Sequence, residues 1–431
     1  MCFALGLCGL FAVQRFTLDV AAPLVCLVPL LLSLLAALAQ ARGVAASCLL
    51  LALAFSVDNG GNAYPETPAV IRYVIYAGVY VVLVMSGSGG RVKVQSLVAA
   101  CLLVAGICAG TLLNLSDGTD IFNGVALRRD VIVLAVMAVF LFARSTLDLD
   151  LELVFAGTLG YLLGEVGNIL FFYELGNDYL SYNSLKSIAV FPALYALLNG
   201  QSRIWQVFLA VITLLVVFYY GTRMITLSLL LLVILVPVVR SMRKGTFGIY
   251  VAMFLIGALL VAVDISSILG IDAIERIKAL SFFLILIENF DPSDMFAMVS
   301  ALDPVRFAEY QLFFSRPPAE VLIGSGLGSG IADSNGVLAF VSYDQTAFST
   351  EEIRTSTYFN LHDFWIDYGL RFGLVPVLLV MFSLSVRQMW RGRPWQGVLF
   401  GVLLINTTFS TSGLLLTALL VRCFPRDATK A

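Results

Sequence analysis

The segments IDAIER (residues 271–276) and NLHDFWIDYGLRFGL (residues 360–374) bound the only long polar stretch of an otherwise apolar chain. The second segment contains His362, the only histidine among the 431 residues, and leads into an apolar run. Hydrophobic residues make up 60% of the chain and charged residues 13%, whereas soluble domains carry about 25% charged residues. This composition predicts an all-α, polytopic membrane protein whose polar stretch is a long extracytoplasmic loop.

Apolar runs on either side of this loop set the predicted organisation of the chain. A bilayer is crossed by about 17–25 apolar residues, which divides the chain into about 12–13 spans. We expect transmembrane helices over 1–270, the extracytoplasmic loop with short helices over 271–357, and C-terminal transmembrane helices over 358–431. Lysine and arginine recur in alternate connections, which places those connections in the cytoplasm and the loop outside. The net charge of −2 and the lack of basic runs argue against a nucleic-acid partner.

Local patterns predict three helices in and after the loop. Apolar residues recur at helical spacing over 271–290, which is typical of an amphipathic helix. A second, polar helix is predicted over 305–315, and the proline pair at 317–318 ends it. An apolar span is predicted over 358–386, and its spacing places His362 on the same helix face as Gly369 and Gly373.

His362 is the first candidate for chemistry. The two glycines on its predicted helix face would let a neighbouring helix approach closely, so that the imidazole would lie at the rim of a packed helix pair. A histidine is largely neutral at neutral pH and can act as a general base. An interfacial histidine with a satisfied hydrogen bond is the alternative interpretation.

Three arginines are candidates for binding an anion: Arg223 at the outer end of a predicted span, and Arg276 and Arg306 within the loop. Guanidinium groups form bidentate pairs with phosphate. The alternatives are snorkelling to the surface for Arg223 and solvated surface charges for the other two. The loop carries five basic and twelve acidic residues, so an anion site there would need a few converging arginines rather than a broad positive field.

Other polar features could support such a site. The glycine-rich sequence GSGLGSG (residues 324–330) lacks the lysine of a P-loop, and its amides could contact a sugar or phosphate, although a tight turn explains the glycines equally well. Glu165 lies in a predicted span, where an ionisable group is a functional candidate and helix–helix hydrogen bonding is the competing explanation. Asp367 and Arg371 are four residues apart and are predicted to pair. A single histidine argues against a metal site of histidines.

The order of four motifs resembles the bacterial O-antigen ligase and polymerase superfamily of membrane glycosyltransferases. The motifs are Gly221-Thr222-Arg223; Arg306 followed by the glycine turn at 324–328; His362-Asp363; and Gly369-Leu370 with Gly373-Leu374. They cover roughly the second half of the chain. The superfamily usually has His-Asn where this chain has His-Asp.

The resemblance implies a GT-C-like fold and a multi-pass enzyme of the bacterial inner (cytoplasmic) membrane. Such an enzyme polymerises oligosaccharide repeat units of O-antigen, capsule or exopolysaccharide from undecaprenyl (polyprenyl) diphosphate carriers, without a metal or other cofactor. The expected partners are the polyprenyl-diphosphate-linked glycan, the lipid bilayer, and the chain-length regulator and flippase of the same pathway.

The resemblance also implies roles for individual residues. His362 would be the catalytic base, and Arg223, Arg306 and Arg276 would bind the diphosphate. Asp363 or another nearby carboxylate would orient the imidazole. The supporting residues of this predicted site are Gly326, Gly328 and Glu165.

Alternative functions remain open at this point. A ligase of the same superfamily would transfer the glycan onto lipid A core or protein. A solute transporter would use the polar residues Glu165, Asp264 and Arg223. A non-catalytic assembly partner of the export machinery would depend on the loop and on neither His362 nor Arg223.

Overall fold

The architecture is given by a computed structural model, which describes residues 24–56, 67–85, 123–142, 148–171, 202–220, 304–341, 348–381 and 411–423, and a few isolated positions (6, 9–10, 108, 111–112, 191–192 and 195). Its helices are α1 (Leu27–Leu38), α2 (Arg42–Phe55), α3 (Ala69–Met85), α4 (Gly124–Phe142), α5 (Leu151–Phe171), α6 (Arg203–Tyr220), α7 (Pro304–Phe314), α8 (Pro318–Ile323), α9 (Thr350–Thr355), α10 (Phe364–Phe372), α11 (Leu374–Met381) and α12 (Thr411–Cys423). Two short strands, β1 (Ile331–Ala332) and β2 (Thr357–Tyr358), pair antiparallel. The described part of the chain is therefore mostly helical.

The prediction of membrane-spanning helices is wrong for this part of the chain. Among the residues that the structure describes, no helix combines the length and the apolar character that crossing a bilayer requires. This finding contradicts the polytopic, GT-C-like transmembrane bundle and, with it, the multi-pass inner-membrane location.

Helix α2 shows why an apolar run is not sufficient to predict a span. It has 14 residues, and every side chain from 45 to 55 is buried. An apolar run of about 10–14 residues is typical of a buried core helix. Helix α4 is longer, with 19 residues, but it carries the successive charged residues Arg128, Arg129 and Asp130.

The first hydrophobic cluster is built around α2. Helices α1, α3, α5 and α12 pack against it, and Leu50, Leu51 and Leu53 are fully buried between them. Hydroxyl groups close one side of this cluster, because Ser412 Oγ lies 2.8 Å from Tyr76 Oη and 3.2 Å from Ser56 Oγ. The cluster therefore joins helices from the two ends of the chain.

The second hydrophobic cluster positions the predicted site. Its buried side chains come from the segment between α7 and α10 and include Phe313, Leu361, Ile366 and Leu370. Helix α7 begins at Pro304 and ends at Phe314, which confirms the helix predicted over 305–315. The proline pair that ends it then opens α8.

The predicted helix over 358–386 is interrupted, which corrects the position of His362. Helix α10 begins at Phe364, so His362 lies before it rather than on the helix face of Gly369. The helix ends at Gly373, whose φ of +83° strains an L-residue and whose added Cβ would lie 2.2 Å from the carbonyl oxygen of Leu322. Glycine is required at this close approach between α8 and the α10–α11 junction.

Candidate functional site

His362 is held by a buried carboxylate from α7. Its ring Nδ1 lies 2.6 Å from Glu309 Oε1, and its backbone N–H donates to the same carboxylate, with N–O distances of 3.1 and 3.2 Å. The Glu309 side chain is fully buried, whereas that of His362 is 19% exposed. A carboxylate accepts hydrogen bonds, so Nδ1 carries the proton of the neutral ring and Nε2 is left as an acceptor. The neutral ring, with Nε2 as its acceptor, is the form in which an imidazole acts as a general base.

Helix α7 supplies three side chains to the candidate site because of their spacing. Arg306, Glu309 and Tyr310 are three and four residues apart, which places them on one face of the helix. In the sequence, Glu309 is one of the twelve acidic residues of the predicted loop, and its spacing from Arg306 marks it as a neighbour on the same helix. Its pairing with His362, 53 residues away, leaves no local signal.

Asp363 contacts α7 rather than the imidazole. Arg306 Nε lies 3.5 Å from Asp363 Oδ1, and the Tyr310 hydroxyl donates to Asp363 Oδ2. Asp363 stands at the N-cap of α10, but its side chain makes no capping hydrogen bond because it turns towards α7. Burial, followed by the charge of Asp363, raises the pKa of Tyr310. The carboxylate at the histidine ring is thus Glu309, and Asp363 connects Arg306 with Tyr310.

A buried cluster of charged side chains lies between α4 and α10 and contacts the segment that precedes His362. Arg371 Nε lies 2.7 Å from Asp130 Oδ1, and Arg371 Nη1 lies 3.0 Å from Asp367 Oδ1, which confirms the predicted pair of Asp367 and Arg371. Arg129 Nη2 lies 3.4 Å from Asp367 Oδ1 and donates to the carbonyl oxygen of Phe359 at 3.0 Å. Burial raises the pKa of Asp130 to about 7 and that of Asp367 to about 6, against the attraction of Arg129. The cluster anchors the segment that precedes His362.

The glycine turn directs two of its amides into the protein. Gly326 N donates to the carbonyl oxygen of Arg371 at 3.1 Å, and Gly328 N donates to Asp130 Oδ2 at 2.7 Å. Gly326 adopts a φ of +87°, which L-residues rarely reach. These two amides therefore support the end of α10 and the ionic cluster, and they are not directed at a ligand.

The other predicted site residues lie elsewhere. Glu165 is part of α5, which packs against α2 and α6 in the first cluster. Arg223, Arg276 and Asp264 fall outside the described residues. Of the predicted site, the structure brings together His362, Asp363 and Arg306 around α7, with the glycine turn beneath α10.

Comparison of the chain with protein-family models, with curated proteins and with solved structures finds no match. The resemblance to the O-antigen ligase and polymerase superfamily therefore stays a prediction.

Proposed function

We propose that this protein is a glycosyltransferase that moves a glycan from a polyprenyl diphosphate onto an acceptor hydroxyl. The observation that carries the proposal is the 2.6 Å contact between His362 Nδ1 and the buried Glu309 carboxylate. It supports an imidazole that is fixed in one tautomer and still partly exposed.

The proposed step assigns one role to each group. Nε2 of His362 takes the proton of the acceptor hydroxyl while the acceptor oxygen attacks the anomeric carbon of the donor glycan. The bond between this carbon and the phosphate oxygen breaks, and the polyprenyl diphosphate leaves with the electron pair. General-base assistance of this kind contributes about 10²–10⁴-fold to the rate.

Arg306 is the described cation that best suits the departing diphosphate. It lies on the same helix as Glu309, and its side chain is 18% exposed. Its Nε lies 3.5 Å from Asp363 Oδ1, and guanidinium groups pair readily with phosphate oxygens. We propose that Arg306 stabilises the negative charge that develops on the leaving group.

The acceptor distinguishes two forms of this function. In a polymerase the acceptor is a new lipid-linked repeat unit of O-antigen, capsule or exopolysaccharide. In a ligase it is lipid A core or protein. Purified protein supplied with a defined polyprenyl-diphosphate-linked glycan and each acceptor in turn would separate them by the product formed.

The experiment that tests the proposed function replaces the base. His362→Gln should abolish long glycan chains in producing cells, as measured by the length distribution of the glycan, because glutamine cannot take up the proton. Arg354→Gln is the matched control, since Arg354 is exposed on α9 and is assigned no role in the step. Normal chain lengths from the His362 variant, at a normal amount of folded protein, would refute the assignment.

A further inference from the structure

Four successive backbone amides lead up to the imidazole, and each donates to a carboxylate. The amides of Phe359 and Asn360 donate to Glu352 Oε1 at 2.9 and 2.8 Å. The next amide donates to Asp367 Oδ1 at 3.0 Å, and the amide of His362 donates to Glu309. Three carboxylates from three different helices therefore fix the backbone of the segment at 359–362 by hydrogen bonds.

Glu352 is a fully buried carboxylate that is satisfied by uncharged donors. Its Oε2 accepts from Ser349 N at 2.9 Å and from Ser349 Oγ at 2.8 Å, and its Oε1 accepts from Phe359 and Asn360. Among the described residues, no lysine or arginine forms an ion pair with it. Oε2 of Glu352 thus caps α9 and also accepts from Asn360 Nδ2 at 3.5 Å, and Oε1 holds the backbone of the segment before His362.

The function of Glu352 can be separated from that of Asp367. Asp367 also offsets the buried charges of Arg129 and Arg371, so its replacement would disturb the whole ionic cluster. Replacing Glu352 leaves those pairs intact and acts on the hydrogen bonds that Glu352 accepts from Ser349, Phe359 and Asn360.

We infer that Glu352 is a positioning residue for His362, and the catalytic part of this inference rests on the proposed function. A buried amide without a partner is costly, so the segment at 359–360 moves to find one when Glu352 can no longer accept. His362 is two residues further along, and its contact with Glu309 depends on the path of this segment. A misplacement of about 1 Å is enough to cost about 10²-fold in rate.

The test uses variants that separate the two sets of hydrogen bonds to Glu352, those from Ser349 and those from the amides of Phe359 and Asn360. Glu352→Gln places an amide NH₂ against backbone N–H donors, so one set must open. Ser349→Ala removes the capping hydroxyl and leaves the contacts to Phe359 and Asn360 in place. Glu351→Gln is the matched control, because Glu351 is the exposed neighbour on α9 and its contact from Asn123 Nδ2 to Oε1, 3.3 Å long, survives in glutamine.

The readout is the imidazole itself. Because the chain has one histidine, ¹⁵N-histidine labelling yields the ring signals of His362 alone, and these distinguish a proton on Nδ1 from one on Nε2. We expect a single Nδ1–H tautomer in the wild type, in Ser349→Ala and in Glu351→Gln. In Glu352→Gln we expect a mixture of tautomers and a fall in transfer rate of about 10–100-fold, as for other residues that orient a functional histidine.

Two results would overturn the inference. One is a folded Glu352→Gln variant with the wild-type tautomer. The other is a tautomer mixture in Ser349→Ala equal to that of Glu352→Gln, which would place the effect in the cap of α9. Should Glu352→Gln fail to fold, Glu352→Asp takes its place, because it keeps the buried charge but withdraws it by one methylene, and an unchanged tautomer there overturns the inference equally.

The tautomer and the transfer rate also separate this inference from the proposed function. A tautomer change in Glu352→Gln, in a protein that transfers no glycan to any acceptor, supports the positioning and refutes the transferase. An unchanged tautomer, together with the loss of glycan chains in His362→Gln, supports the transferase and refutes the positioning.

Discussion

Replacing Arg371 with an uncharged residue should lower the free energy of local unfolding of α10. The decrease should be larger at high pH than at low pH. Arg371 is fully buried, contacts both Asp130 and Asp367, and donates to the carbonyl oxygen of Phe359. Arg371→Met keeps much of the apolar stem but leaves two carboxylates with Arg129 as their remaining close cation among the described residues. Breaking a buried ion pair in this way costs about 3–5 kcal/mol.

The pH dependence follows from the two carboxyl groups. Burial raises the pKa of Asp130 to about 7 and that of Asp367 to about 6, whereas an aspartate in an unfolded chain has a pKa of about 3.9. Between these values the folded protein binds more protons than the unfolded chain, so the free energy of unfolding falls as the pH rises from about 4 to about 7. The destabilisation by Arg371→Met should therefore be larger at about pH 8, where both groups are ionised, than at about pH 5.

Native-state hydrogen exchange of the α10 amides measures the free energy of opening for this element directly. The double variant Arg371→Met/Asp130→Asn serves as the control. It also removes the negative charge of Asp130, which has lost its contact with Arg371, and should recover part of the lost free energy of opening. A single-variant loss below about 1 kcal/mol, or an equal loss at the two pH values, would refute the account of the cluster as a compensated buried ionic network.

Three further predictions concern the site and its support. Glu309→Gln should lower the transfer rate by about 10–100-fold in the purified-protein assay, because the imidazole loses the carboxylate that fixes its tautomer; an unchanged rate would contradict this role. Tyr310→Phe should reduce stability by about 1–3 kcal/mol in chemical denaturation, because the buried carboxylate of Asp363 loses the hydroxyl that donates to it, and a neutral effect would mean that another donor replaces it. Gly373→Ala should lower the melting temperature more than Gly336→Ala does, because both have positive φ but an added Cβ at Gly373 meets a backbone oxygen at 2.2 Å and at Gly336 its first contact is at 3.6 Å; equal effects would refute the steric argument.

Local features of the fold were predictable from the sequence because their causes are local. The helix over 305–315 was predicted as a polar helix that the proline pair ends, and the structure has it at Pro304–Phe314. The pair of Asp367 and Arg371 follows from their four-residue spacing, and it lies within α10 at 3.0 Å. The end of the helix and the ion pair both depend on residues that are close in the sequence, within about one or two helical turns.

The prediction of membrane-spanning helices failed because composition does not distinguish apolar side chains that contact lipid from those that pack inside a protein core. The apolar side chains of α2 are the same whether lipid or protein surrounds them, and here they are buried against α1, α3, α5 and α12. Length alone does not discriminate, because α4 and α5 have 19 and 21 residues. A run such as 358–386 breaks at Gly373, which lies against Leu322, 51 positions away in the chain.

Of the proposed site, the sequence singled out the histidine and not the residues that hold it. His362 was conspicuous as the only histidine. Glu309 and Glu352 were not, because their roles arise from contacts with His362 and with the segment at 359–360 that sequence spacing does not encode. Asp363 was adjacent to the histidine, yet adjacent residues of an extended segment point in different directions, and its side chain reaches Arg306 and Tyr310 instead.

The packing of α12 against α2 determines when the first hydrophobic cluster can form during synthesis of the chain. Ser412 meets Tyr76 and Ser56, and the carbonyl oxygen of Cys423 accepts from the amide of Leu149. A nascent chain on the ribosome makes α2 long before α12, so the surface of α2 that α12 covers stays uncovered until residues 411–423 have been made. Helix α12 therefore completes the first hydrophobic cluster among the described helices, and a chain released before α12 is made would present the uncovered surface to chaperones and to other nascent chains.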